Sequence, residues 1–214
     1  MGTHVAAALT VAPCSHVVYV SSDAVYEDDV PNPIRETCCC SPSDLYGLMH
    51  LVRERMLAYA LNQPKTPLAI LRPCAIYGVN DTHNSYGPNR FIQSVKRGKP
   101  IVLFGQGEER RDHVFVEDVA RVITLSLQWQ SAGLLNVATG TAVSFWDVAQ
   151  IIRNLSQGPV EIDHQHQPRA AAITHRHFDV SALIKAFPFF RFTSLDVGLA
   201  QTFAAMTGLP EVTP

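Results

Sequence analysis

Two groups of residues in this chain have the types and spacing needed to move a proton. Ser21, Ser22 and Asp23 close an apolar run within His16-Val-Val-Tyr-Val-Ser-Ser-Asp-Ala-Val-Tyr26, and Tyr46 and His50 stand four apart in Tyr46-Gly-Leu-Met-His50. A hydroxyl at a strand end and a phenol on a neighbouring helix can close on one substrate oxygen from two sides. Taken singly, each has a plain structural role open to it. Ser22 is small enough to pack at a strand end, Tyr46 can be an amphipathic core residue, and His50 can be a satisfied residue of a helix face.

The elements that must position them are legible. Residues 16–20 are apolar and β-branched, which predicts a buried parallel strand delivering Ser21 and Ser22 at its carboxyl end. Open α/β sheets bind their ligands beyond that end. Ser43-Asp-Leu-Tyr46 supplies an N-cap and predicts a helix over 44–61, with Tyr46 and His50 on one face. Residues 1–11 predict an earlier helix, ended by Pro13. Residues 68–73 predict a second buried strand, and 27–42, with three prolines and Cys38-Cys-Cys40, a loop.

These residues resemble the extended short-chain dehydrogenase/reductases, specifically the NAD-dependent sugar-nucleotide epimerase/dehydratase family. That family has a strand ending in Ser-Ser-x-x-Val-Tyr, followed by Tyr-x-x-x-Lys. Arg72-Pro73 and Tyr77-Gly78 match its Leu-Arg-Pro-x-x-x-Tyr-Gly segment, and Gly105-Gln-Gly-Glu-Glu-Arg-Arg-Asp112 matches its Gly-x-Gly-x-x-x-Arg-Asp segment. The resemblance implies that Ser22 and Tyr46 are catalytic and that His50 stands in the place of the family's Lys. It implies an NAD cofactor, with NADP not excluded, held by Ser21, Tyr46, His50, Arg72 and Pro73. It also implies a nucleotide-sugar substrate held by Asp23, Asn84, Asn89, Arg90, Arg111 and Arg169. Dehydratases of the family place an Asp-Glu pair after the Ser or Thr. Here the sequence reads Asp23-Ala24, one carboxyl where elimination needs a donor and an acceptor. Epimerisation or 4-keto/4-hydroxy redox chemistry is therefore expected.

His50 changes the electrostatics. The usual Lys lowers the Tyr pKa with a nearby ammonium, whereas an imidazole with a pKa near 6.5 is mostly neutral at pH 7. A second departure lies at the start. No Gly-rich strand–turn–helix occurs there to cradle a pyrophosphate. By the resemblance, about 100 residues of leading βα repeats are missing, and Met1 reads as an internal start.

Composition sets outer bounds. The 214 residues, 47% hydrophobic and 17% charged, suit a globular protein, and a net charge of −2 gives no reason to expect nucleic acid as a partner. No apolar run approaches the ~18 residues of a membrane span. The five cysteines, three of them consecutive, suit neither a disulfide framework nor a zinc site, and predict free thiols in a reducing cytoplasm. His164-x-His166 and His175-x-His177 place histidines on one side of a strand, but no carboxylate or Cys spacing completes a metal site.

The remaining elements are read as a polar loop over 79–89, a short helix over 91–97, strands at 101–104, 114–116 and 160–166, a strand and turn over 133–140, and helices over 117–128, 145–155, 178–187 and 195–206. The expected architecture is α/β: a partial Rossmann-like, doubly wound parallel sheet with an interleaved smaller C-terminal substrate lobe. Residues 1–80 are expected to carry the catalytic face. Residues 81–214 are expected to form mainly the substrate lobe, with some elements returning to the sheet. Two functional readings follow: an NAD-dependent sugar-nucleotide epimerase, or a non-catalytic or partner-dependent binding module without its cofactor. The missing repeats leave a sheet edge, so self-association is expected.

Overall fold

The computed structural model describes residues 2–12, 14–62, 66–81, 87–156, 158–165 and 175–209. Helix α1 (Gly2–Val11) leads into β1 (Val17–Val20), a 3₁₀ turn (Asp23–Val25) and α2 (Leu45–Ala60). Then come β2 (Leu68–Pro73), β3 (Ala75–Tyr77), α3 (Gly87–Lys96), β4 (Ile101–Phe104), β5 (Arg110–Phe115) and α4 (Val116–Gln128). The chain closes with β6 (Gly133–Val137), β7 (Ala142–Ser144), α5 (Phe145–Leu155), β8 (Ile162–Gln165), α6 (Ser181–Ala186) and α7 (Leu195–Thr207).

The chain divides into two compact units, neither of them continuous. The first is Met1–Cys74, Val119–Ala138 and Phe178–Phe190. The second is Ala75–Asp118, Thr139–His177 and Arg191–Pro214.

In the first unit β2 is the central strand of a parallel sheet ordered β1-β2-β6. Its run Leu-Ala-Ile-Leu is apolar throughout, as a central parallel strand requires; Ala69 and Leu71 are buried, and Leu68 and Ile70 are half-buried. Helix α1 packs on α2. Asp44 caps α2, its side chain accepting from the Gly47 N–H. Gly47 is required there: a Cβ would lie 2.0 Å from the Ala24 carbonyl oxygen and 2.8 Å from the Pro42 Cβ. The front of α2 therefore presses directly onto the 3₁₀ turn that follows Ser22.

In the second unit β5 pairs with β3 in parallel and with β7 antiparallel, and β4 pairs with β8 in parallel. Tyr77, Phe91, Ile92, Ile101, Leu103, Phe115, Val148, Ile152, Leu199 and Phe203 form its apolar core. Ser144 caps α5 by accepting from the Asp147 N–H.

Several elements differ from the sequence expectation, among them the unexpected short strand β3. Helix α3 starts at Gly87, inside the expected loop. Pro88 falls in its first turn, where the missing N–H has no partner to lose. The segment from Arg110 onward is already strand, paired through Arg110, Arg111 and Asp112 with β7, a three-residue strand the pattern does not announce. Phe178 forms a bridge with Ile34, and the helix expected from 178 begins at Ser181.

Candidate active site

The first unit gathers Ser21, Ser22, Asp23, Tyr46, His50, Arg72 and Pro73. Ser22 lies two residues beyond the end of β1. Its side chain caps the 3₁₀ turn, accepting from the Ala24 N–H at 3.2 Å, and is 5% exposed. Tyr46 sits in the first turn of α2 and is 57% exposed, so its phenol is open to a ligand. The Tyr46 and His50 rings meet edge to face with centroids 4.7 Å apart, as their spacing of four predicts. His50 Nδ1 is hydrogen-bonded with the Tyr19 hydroxyl at 2.9 Å, which fixes the ring. Burial lowers the His50 pKa below its ordinary value, the Arg53 charge lowers it further, and Glu54 opposes both. The imidazole is therefore neutral at pH 7 and does not replace the charge of a Lys.

Ser21 and Arg72 turn inward. The Ser21 hydroxyl donates to Glu54 Oε1 at 2.5 Å. Arg72 Nε donates to the same oxygen at 2.9 Å and Nη2 donates to Oε2 at 2.6 Å. All three residues are at most 4% exposed. The Arg72 guanidinium lies 4.8 Å from the Tyr26 ring centroid, and the Tyr26 hydroxyl donates to Asn136 Oδ1 on β6 at 2.7 Å. Burial pushes the Tyr26 pKa up to about 12, so it stays a protonated donor.

The second unit holds Asn89, Arg90 and Arg111. Arg111 pairs with Glu109, and its strand neighbour Asp112 points the opposite way, as strand alternation requires. The buried Asp112 carboxylate accepts from the Thr139 N–H and hydroxyl and from the Gly140 N–H. Arg90 lies over the Phe104 ring at 5.9 Å. The two residues line a cavity of about 120 Å³ with Gly87, Phe91, Glu109 and Phe145. Asn89 is buried, and its amide accepts from the Gly78 N–H and donates to the Gly78 carbonyl at 2.6 Å. The buried Asp118 carboxylate accepts from the Thr193 N–H and hydroxyl. Asn84 and Arg169 lie outside the described residues.

Sequence reasoning did not find Glu54, Tyr19 or Phe104. Glu54 carried one signal, its place four residues after His50 on the same helical face. Among the described residues no cluster of three His, Cys, Asp or Glu forms a metal site. No described helix is long and apolar enough to cross a membrane.

Known proteins share this fold. The solved UDP-N-acetylglucosamine 4-epimerase of Methanobrevibacter ruminantium, in complex with UDP-N-acetylmuramic acid, superposes with a TM-score of 0.86 over 97% of this chain and 67% of its own, at 22% identity. MoeE5 in complex with UDP-glucose and NAD superposes with a TM-score of 0.83 over 96% of this chain and 69% of its own, at 25% identity. The dTDP-L-rhamnose 4-epimerase of Burkholderia thailandensis is 34% identical over 116 residues, 52% of this chain and 32% of that protein. The chain spans less than half the length of the curated relatives it matches, 46% and 32%. The fold is thus the Rossmann-like α/β fold of these epimerases. A family model described as the NAD dependent epimerase/dehydratase family matches residues 1–138, and the chain belongs to that family.

Proposed function

We propose that this chain carries the catalytic and sugar-nucleotide portion of an NAD-dependent sugar-nucleotide epimerase. The observation that carries the reading is the open Tyr46 phenol, edge-on to His50, on a helix that abuts the Ser22 turn at the carboxyl end of β1. The UDP-glucose and NAD bound to MoeE5 support the ligand classes.

The described residues fit the nicotinamide-ribose end of the cofactor. With Nδ1 engaged by Tyr19, His50 offers Nε2 to a ribose hydroxyl, and Tyr46 is exposed beside it. Bound NAD would take a hydride from a sugar carbon and return it to the opposite face. Tyr46 takes the proton of the sugar hydroxyl as that carbon is oxidised and gives it back on reduction. Ser22 hydrogen-bonds the same oxygen. A neutral His50 lends the Tyr46 phenolate little charge, and the cationic nicotinamide of bound NAD would supply most of its electrostatic support.

Asp23 offers one carboxyl after Ser22, which favours epimerisation or keto/hydroxyl redox over elimination. Arg111 and Arg90 bind the diphosphate, because guanidinium forks match phosphate oxygens. The 44% exposed Phe104 ring offers a face for the nucleobase. Asn89 holds the Gly78 backbone under that site. Asn84 and Arg169 are assigned to substrate through the sequence pattern.

Calorimetric titration of the purified chain with NAD, followed by a turnover assay with UDP-glucose, tests the reading. Micromolar binding, about −8 kcal/mol, and turnover abolished by Tyr46→Phe are expected. Undetectable NAD binding would overturn it and leave a substrate-binding module.

A further inference from the structure

We propose that Glu54 is a positioning residue: its buried carboxylate, shared by Ser21 and Arg72, sets where the Tyr46–His50 face of α2 meets Ser22. The inference rests on the catalytic reading of Ser22, Tyr46 and His50.

Tyr46, His50 and Glu54 follow one another at intervals of four and form one stripe along α2. Two coordinates place that stripe against the sheet: the slide of α2 along its axis and its rotation about it. Glu54 fixes both. Oε1 holds the Ser21 hydroxyl at the end of β1 at 2.5 Å and Arg72 Nε at the end of β2 at 2.9 Å, while Oε2 holds Arg72 Nη2 at 2.6 Å. At the front of the helix, Gly47 rests on the Ala24 carbonyl. Tyr46 precedes the first of these pins and His50 lies between the two.

The choice of residue types supports the assignment. A hydrophobic pair of similar volume fills such a space at no cost in stability, and often with a gain. It cannot hold a hydroxyl on one strand and a guanidinium on the next at the same time. Arg72 extends the tie to β6, through the Tyr26 ring beneath its guanidinium and the Tyr26–Asn136 hydrogen bond. Ser21 adjoins Ser22 in sequence, so any shift of Glu54 is felt one residue from the catalytic hydroxyl.

The test uses the full chain with Glu54→Gln and Ser21→Ala. Three readouts are taken: the NMR cross-peak between the Tyr46 and His50 rings, the pH titration of His50, and turnover of UDP-glucose with NAD. Glu54→Gln turns one acceptor into a donor facing donors. It is expected to weaken the cross-peak, lower the His50 pKa, and cut kcat by about tenfold or more, with KM for NAD changed by less than about threefold. Ser21→Ala keeps the Arg72–Glu54 pair and the fold, and is expected to weaken the cross-peak and lower kcat in the same pattern. It decides the matter if Glu54→Gln does not fold. An unchanged cross-peak and kcat in Ser21→Ala would overturn the proposal. So would a raised KM for NAD with unchanged kcat, which marks Ser21 as a cofactor contact instead. If the wild-type chain shows no turnover, the catalytic reading fails, and the cross-peak and titration still decide the role of Glu54.

Discussion

His113 is the residue whose burial exacts the clearest cost. It lies in β5 at 4% exposure, edge-on to Phe145, and among the described residues neither ring nitrogen has a hydrogen-bond partner. Burial, and then the Arg111 charge, pull its pKa from 6.5 down to about 4. The folded state therefore refuses a proton that the unfolded chain accepts between those values. The stability that neutral His113 permits is fully present above about pH 6.5 and is lost as pH falls towards 4. The loss is about 3 kcal/mol, from 1.36 kcal/mol per unit. His113→Phe should flatten this limb, so that urea unfolding at pH 7 and pH 4.5 shows a smaller fall for the variant than for wild type. A fall of equal size in both would place the acid sensitivity elsewhere. Ser22, Tyr46 and His50 were legible in the sequence because their signal is local: one strand end and one spacing of four. The inward turn of Ser21 and Arg72 was not. Glu54 lies 33 residues from Ser21 and 18 from Arg72, and no periodicity reports a contact across that distance.

At the scale of elements, α2 shows how a helix is seated as well as formed. Its capping Asp44 and its expected range over 44–61 agree with Leu45–Ala60. Gly47, in its first turn, is sterically decisive in the fold. Gly47→Ala would drive a methyl into the Ala24 carbonyl, so about 1–3 kcal/mol of destabilisation is expected from overpacking, together with displacement of Tyr46. Chemical denaturation and the Tyr46–His50 ring contact measure the two effects separately. An alanine variant as stable as wild type would mean the 3₁₀ turn can move aside. The elements that escaped prediction were those whose cues conflict. Pro88 and Gly87 read as loop yet open α3, and the three residues of β7 are too few to show an alternation. Phe178 is apolar enough to extend α6 on paper, but it belongs to a bridge with Ile34.

For the molecule as a whole, β1 is the element to watch. It pairs with β2 on one side, and among the described residues no strand pairs with its other side. An open edge of this kind recruits further strands. Sedimentation or light scattering of the chain should show association that grows with concentration, and a clean monomer throughout would mean the edge is shielded.

The division into units carries a consequence for synthesis. The first unit needs β6 and the segment Phe178–Phe190, yet everything from Ala75 to Asp118 is made before β6. A ribosome adding about 5–20 residues per second leaves β2 waiting several seconds for its partner β6, and longer for Phe178 to reach Ile34. Once the chain through Arg72 has cleared the ribosome, Glu54 can reach both Ser21 and Arg72 before β6 joins the sheet. The polar tie can therefore organise α2 on a sheet that is still one strand short. A nascent chain stalled before β6 but with Cys74 already clear of the ribosome would be the place to look for that early order, with α2 docked and β6 not yet made.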